Sequence, residues 1–327
     1  MKSSRPRGPQ EDAAGKIKVG VSRCLLGDPV RYDGGHKRDR YLTDVLGGYF
    51  DWVPVCPEVE VGMGVPREPV RLAGDPRHPR LLGRQSGKDW TQAMQAWVEK
   101  RLDRLAGESL CGFIFKSDSP SSGAFRVKVY NEKGQAAGSG SGLFAAAFMN
   151  RFPLVPVEEE GRLHDLGLRE NFIERVFSFR RLQLLAARFK RGALVEFHSR
   201  QKLLLMSHSP KHYQTLGRLV AKVKTLDPRA FLDEYARLFM EALAVRATPA
   251  KHANVLQHIL GYLKRDLGPA EKQDVLSVIE DYRHGLVPLV APLTLLKHYV
   301  GKARVEYLRG QYYLNPHPKE LMLRNHA

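Results

Sequence analysis

Two cysteines in this chain stand where apolar runs give out. The β-branched, apolar run "KIKVGVSRCLL" (16–26) carries Cys24 near its end, just before Gly27. A second run, "WVPVCP" (52–57), sets Cys56 beside Pro57, with Glu58 two residues on from the thiol. A third, "CGFIFKS" (111–117), empties into "SDSPSSG" (117–123), which holds Ser119, Ser121 and Ser122. In an open parallel sheet, ligands bind beyond the carboxyl ends of the strands, so parallel strands bring three such loops to one rim. Two thiols and a carboxylate gathered there suit a soft metal or an iron–sulfur group. The competing reading is that Cys24 and Cys56 are small core residues, as buried cysteines commonly are. The serine-rich loop has three readings: an anion cradle, the seat of a catalytic hydroxyl, or a metal site with one ligand changed.

The elements that must position these residues change character along the chain. Up to residue 158 strand-like runs alternate with helical ones. In 88–106, Trp90, Met94, Trp97, Val98, Leu102 and Leu105 recur at helical spacing and predict a helix with one buried stripe. "FRVKVY" (125–130) alternates charge with apolar residues as a strand does, and "GSGSG" (138–142), read as a flexible turn, precedes a helical "LFAAAFMNRF". Strands separated by helices predict an α/β three-layer domain with a mainly parallel sheet over 16–158. The charged "VEEEGRLHD" (157–165) reads as a break. Beyond it, residues 166–320 predict a separate all-α domain. Asp227-Pro228 and Thr248-Pro249 set an N-cap before a first-turn proline, and Gly268-Pro269 ends a helix. Three apolar stripes follow that punctuation: Phe231 to Leu243, Val255 to Leu263, and Val275 through Tyr282 to Leu286.

Composition bounds the rest. The 327 residues carry 52 Lys and Arg against 35 Asp and Glu, a formal net charge of +17, which favours anionic partners such as phosphate esters or nucleic acid. No run reaches the roughly 20 apolar residues that span a bilayer, and residues 1–15 read as a disordered tail without a secretory signal. Three cysteines do not make a disulfide framework and fit a reducing cytoplasm. His208 and His212 are separated by Pro210, and His252 and His258 fall on different helical faces, so neither pair is assigned a metal.

The segments "VSRCLLGDPVRYDGGHK", "VPVCPEVEVGMGVPRE" and "KSDSPSSG" resemble the three signature segments of the thiouracil desulfurase (TudS) family, over about residues 16–157. The resemblance implies a [4Fe-4S] cluster held by three cysteines with one iron left open, and the hydrolysis of 2-thiouracil to uracil and sulfide. Carried over to this chain, Cys24 and Cys56 are cluster ligands, while Glu58 and Ser119 assist the chemistry. Ser122 stands where the family has its third cysteine. Cys111 is no replacement, because six extended residues, roughly 20 Å, separate it from the rim. Either the cluster forms with Cys24, Cys56 and a serine alkoxide, water or sulfide at the third iron, and is labile, or it is lost and the pocket serves otherwise. Arg31, Lys37 and Lys116 are candidates to offset charge on an anionic substrate. The helical half, through "FHSRQKLLLMSHSPKHYQTLGRLVA" and "HANVLQHILGYLK", resembles the YbgA-like domain, which carries no assigned role. The expected substrate is a thiolated pyrimidine, free or within tRNA. The alternative expectation is a basic nucleic-acid-associated protein whose cluster is lost or merely structural.

Overall fold

The computed structural model describes residues 16–326, which form two compact units, 16–165 and 166–326. The tail expected to be disordered lies outside the described residues. In the first unit, β1 (Ile17–Ser22), β2 (Phe50–Val55), β5 (Phe113–Phe115) and β8 (Val157–Glu159) make an all-parallel sheet in the order β2-β1-β5-β8. Both of its faces are covered, as parallel sheets require: Phe113 and Phe115 point one way, Ile114 the other, and all three are fully buried. Gly20 makes room for this packing, since a Cβ there would lie 2.2 Å from the Phe113 ring.

Two helices cover the phenylalanine face. On α2 (Thr91–Ala106) the expected stripe buries Met94, Val98, Leu102 and Leu105, while α3 (Leu143–Arg151) contributes Phe144 and Phe148. The rings of Phe113 and Phe115 stack with centroids 4.2 Å apart, and Phe148 sits 4.8 Å from Phe113.

The sheet composition departs from expectation in three places. Residues 125–130 do not join the parallel sheet. Their strand β6 (Val127–Tyr130) lies in a second, mixed sheet with β3 (Val70–Ala73), β4 (Arg80–Gly83) and β7 (Ala136–Gly140). Alternation identifies a strand but not the sheet that accepts it. "GSGSG" is largely strand β7, paired antiparallel to β6, rather than a flexible turn. The charged 157–165 segment is no simple break either, because it supplies edge strand β8, where Glu158 and Glu159 are buried.

The second unit is helical: α4 (Leu166–Ala187), α5 (Arg191–His208), α6 (Pro210–Ala221), α7 (Pro228–Ala244), α8 (Pro249–Tyr262), α9 (Pro269–Arg283), α10 (Val290–Ala303) and the short α11 (Glu306–Arg309), with α1 (Pro57–Glu60) belonging to the first unit. The punctuation is physical. Asp227 accepts from the backbone N–H of Arg229 and Ala230, Thr248 from Lys251, and Ser209 from His212. The α7 stripe is buried throughout. Two stripe members are not: Tyr262 is exposed, and Leu286 lies past the end of α9 with 73% of its surface open to solvent.

Candidate active site

A cavity of about 360 Å³ opens at the carboxyl edge of the parallel sheet, and its wall includes Cys24, Cys56, Glu58, Ser119 and Ser122. Each is delivered by the end of a strand. Cys24 sits in a single 3-10 turn, Arg23–Leu26, directly after β1, and its carbonyl accepts from the backbone N–H of Lys37 at 2.9 Å. Cys56 follows β2 and caps α1. Its N–H donates to Glu60 Oε1 at 3.1 Å, and its thiol lies 3.9 Å from the Val30 carbonyl. The serine loop follows β5 across a hydrogen bond from the Lys116 N–H to Ser22 Oγ at 2.8 Å, which ties the ends of β5 and β1 together.

Burial pushes the Cys24 thiol up to about 11, with the neighbouring Cys56 adding to the shift, and burial likewise raises Cys56. Both are therefore thiols at neutral pH until something displaces their protons. Cys111 lies elsewhere. Its N–H bonds to the Lys18 carbonyl at the amino end of β1, and its side chain is fully buried.

Glu58 is the hub of the polar network. Its Oε2 accepts from Arg67 through Nε at 3.2 Å and through Nη2, and the two side chains are 15% and 6% exposed. Its Oε1 accepts from Ser121 Oγ at 2.8 Å. Ser121 spends its proton on that bond, so in the 3.2 Å contact between Ser119 Oγ and Ser121 Oγ the donor is Ser119. The result is a directed chain, Ser119 to Ser121 to Glu58. Ser119 Oγ in turn accepts from the Ser122 N–H at 3.1 Å.

The loop that carries these serines is clamped from α3. Phe144 N–H donates to the Ser121 carbonyl at 3.0 Å, and the Gly142 N–H donates to the Gly123 carbonyl at 2.8 Å. A Cβ on Gly142 would lie 2.5 Å from the Ser121 carbonyl carbon, so only glycine permits the approach. The last residue of "GSGSG" thus serves the site by contact.

The cavity wall carries six basic residues, Arg23, Arg31, Lys37, Arg67, Arg84 and Lys116, against the acidic Glu58 and Asp118. Several are already engaged. Arg31 pairs with Asp33, Arg23 with Asp28, and Lys116 with Glu160, which also accepts from the Ser117 N–H and hydroxyl. Lys37 is exposed at the rim. Arg67 and Glu160 escape a reading of the sequence, and so does the bond from Ser121 to Glu58, because nothing in local pattern connects these residues with Glu58 or the serine loop.

The sulfur donors suit iron: thiols become thiolates when a soft metal displaces their protons. Cys24 and Cys56 thus fit an iron–sulfur group. Ser122 offers a hard hydroxyl, so the donor set fits such a group at two corners and departs from it at the third.

Residues 19–160 match the family described as 2-thiouracil desulfurase, and residues 202–318 match a family described as a protein of unknown function, DUF1722. The chain is 35% identical over 155 residues to the uncharacterized protein YbgA of Escherichia coli (strain K12), covering 46% of this chain and 90% of that protein. It is 33% identical over 134 residues to the uncharacterized protein YbbK of Bacillus subtilis (strain 168), covering 38% and 85%. The chain belongs to both families. Its first unit carries the 2-thiouracil desulfurase match and its second the YbgA-like one. A solved structure described as the [4Fe-4S]-dependent thiouracil desulfidase TudS is 32% identical, covers 47% of this chain and 97% of its own, and superposes with a TM-score of 0.38. No helix among the described residues is long and apolar enough to cross a membrane.

Proposed function

We propose that the desulfurase unit replaces the sulfur of a thiolated pyrimidine by oxygen, C=S plus water giving C=O plus hydrogen sulfide, with no net redox change. The observation that carries this reading is the convergence of Cys24, Cys56, Glu58 and Ser119 on one cavity in a chain of this family. At about 360 Å³ the cavity is of the size that takes small ligands. Cys24 and Cys56, with Ser122 at the remaining corner, would hold a [4Fe-4S] cluster, which when bound supplies a Lewis acid for the thiocarbonyl sulfur.

The protein's own part is proton handling and orientation. Water attacking the thiocarbonyl carbon sheds a proton. Ser119 stands at the head of a hydrogen-bonded chain that ends on the Glu58 carboxylate, so a proton released beside Ser119 has a path to a base. Arg67 fixes the direction in which Glu58 points. The surplus of basic residues on the wall favours the anionic form of the base and of the departing sulfide.

Charge also supports a polyanionic carrier for the base. Residues 166–327 hold 27 Lys and Arg against 14 Asp and Glu, whereas 16–165 hold 22 against 19, so the helical unit accounts for most of the net charge. The test is anaerobic incubation of iron- and sulfide-reconstituted protein with 2-thiouracil and, in parallel, with thiolated tRNA, reading sulfide and the oxo base. Release from either substrate that depends on Glu58 supports desulfuration, and release from tRNA alone identifies the carrier. No release from either, with iron bound, rejects the reading.

A further inference from the structure

The helical unit contains a second group of donor atoms that takes no part in the desulfurase cavity. Glu170 and Glu174 lie one turn apart on α4, and an oxygen of each falls within 4.8 Å of the other and of a ring nitrogen of His317. Glu174 and His317 are buried, at 3% and 6% exposure. His317 Nδ1 faces the Pro318 carbonyl at 3.1 Å, and a carbonyl only accepts, so Nδ1 carries the proton. Nε2 is then a lone pair, and it is buried with no hydrogen-bond partner.

His208, the last residue of α5, repeats the arrangement. Its Nδ1 lies 2.7 Å from the Val245 carbonyl, and its Nε2 lies 3.2 Å from Glu174 Oε2. With the proton on Nδ1, a neutral His208 turns a lone pair toward a carboxylate oxygen, which is repulsive unless a cation sits between them. Histidines that bind metals commonly donate their other N–H to a backbone carbonyl in this way. Arg324 does not fill the gap. Its Nε and Nη2 engage Oε1 of Glu170 at 3.0 Å and Oε1 of Glu174 at 2.7 Å, while Oε2 of Glu170 lies 3.5 Å from His326 Nε2 and Oε2 of Glu174 faces His208.

We propose that the helical unit binds one divalent cation of the zinc class through Glu170, Glu174 and His317, with His208 as the fourth donor. Two imidazole nitrogens and two carboxylates, with no sulfur, suit a borderline ion rather than a soft one. A set closed by four side chains is the form taken by structural sites. The ion ties α4 to the C-terminal segment that carries His317 and Arg324. The rival arrangement has a proton on His208 in place of the ion, closing an ion-paired network that needs no metal.

The experiment uses the full chain with Cys24→Ser and Cys56→Ser, so that thiols do not compete for the metal. The protein is stripped with a chelator, given zinc, desalted and analysed for zinc by mass spectrometry, with melting temperature measured with and without the ion. The expected result is about one zinc per chain and a raised melting temperature, with an affinity at least about 100-fold weaker once His317→Ala is added. Zinc absent from the parent, or zinc and the melting shift unchanged in His317→Ala, overturns the proposal. Should His317→Ala fail to fold, Glu170→Gln, whose Oε1 still accepts from Arg324, is read by the same two outcomes.

Discussion

The desulfurase cavity and the donor group of the helical unit place metal-binding residue types in opposite surroundings. In the first, thiols hang from loops beyond parallel strands and line a cavity bordered by basic side chains. In the second, carboxylates and imidazoles meet inside a helical core on α4, α5 and a C-terminal loop. An open wall with a proton path suits turnover, while a closed set suits holding an element in place. The contrast also separates what each donor type reports. Cys24 and Cys56 are far apart in the chain, yet their strand-end setting announces them, whereas Glu170 and His317 meet only through tertiary packing.

The largest effect separating the two regions is expected from Cys56→Ala. Sulfide release should fall on the order of 10³-fold, since a Lewis acid contributes several kcal/mol to such a barrier, while melting of the helical unit stays unchanged. Equal loss of both signals would mean that the regions are not separate in function. Glu58→Gln should lower turnover by about 10²-fold without changing iron content, because it removes the terminal base and leaves Cys24 and Cys56 alone. Unchanged turnover would remove Glu58 from the proton path.

Gly142→Ala addresses the clamp. Its new Cβ meets the Ser121 backbone at 2.5 Å, and a loss of roughly 1–3 kcal/mol in denaturant stability, together with reduced turnover, is expected. Full activity in that variant would show that the serine loop does not depend on α3.

The smallest effect belongs to the helical core and to pH. His198 is buried with Nδ1 3.2 Å from the Tyr235 hydroxyl, and burial lowers its pKa from 6.5 to about 4. Below pH 6.5 the unfolded chain takes up a proton that the folded chain refuses, so stability declines as pH falls toward 4. The slope is at most about 1.4 kcal/mol per pH unit for this one group. His198→Gln should flatten that acid limb in chemical denaturation, and an identical limb would assign the loss to other groups.

The α/β-then-helical order was readable because hydrophobic period changes from strand-like to helical near residue 160, and the capping pairs Asp227-Pro228 and Thr248-Pro249 fall at helix starts. Strands β3 and β4 went unread, since four residues each give little alternation to detect. The three loops of the cavity were visible as chemistry-bearing residues at the ends of apolar runs. Arg67 and Glu160 were not, nor was the role of Ser121, because each acts through a contact that only the fold makes, as Ser121 does with Glu58 Oε1 63 residues away. Likewise the glycines of 138–142 read as flexibility, although Gly142 is required for contact.

Cluster binding by the two rim thiols is the proposition most open to direct measurement. After anaerobic reconstitution and desalting, iron and acid-labile sulfide are counted in the natural chain, in Cys24→Ala and in Ser122→Cys. The account predicts about four of each in the natural chain, almost none in Cys24→Ala, and slower loss to chelator in Ser122→Cys. Iron that is absent from the natural chain, or present equally in Cys24→Ala, contradicts it.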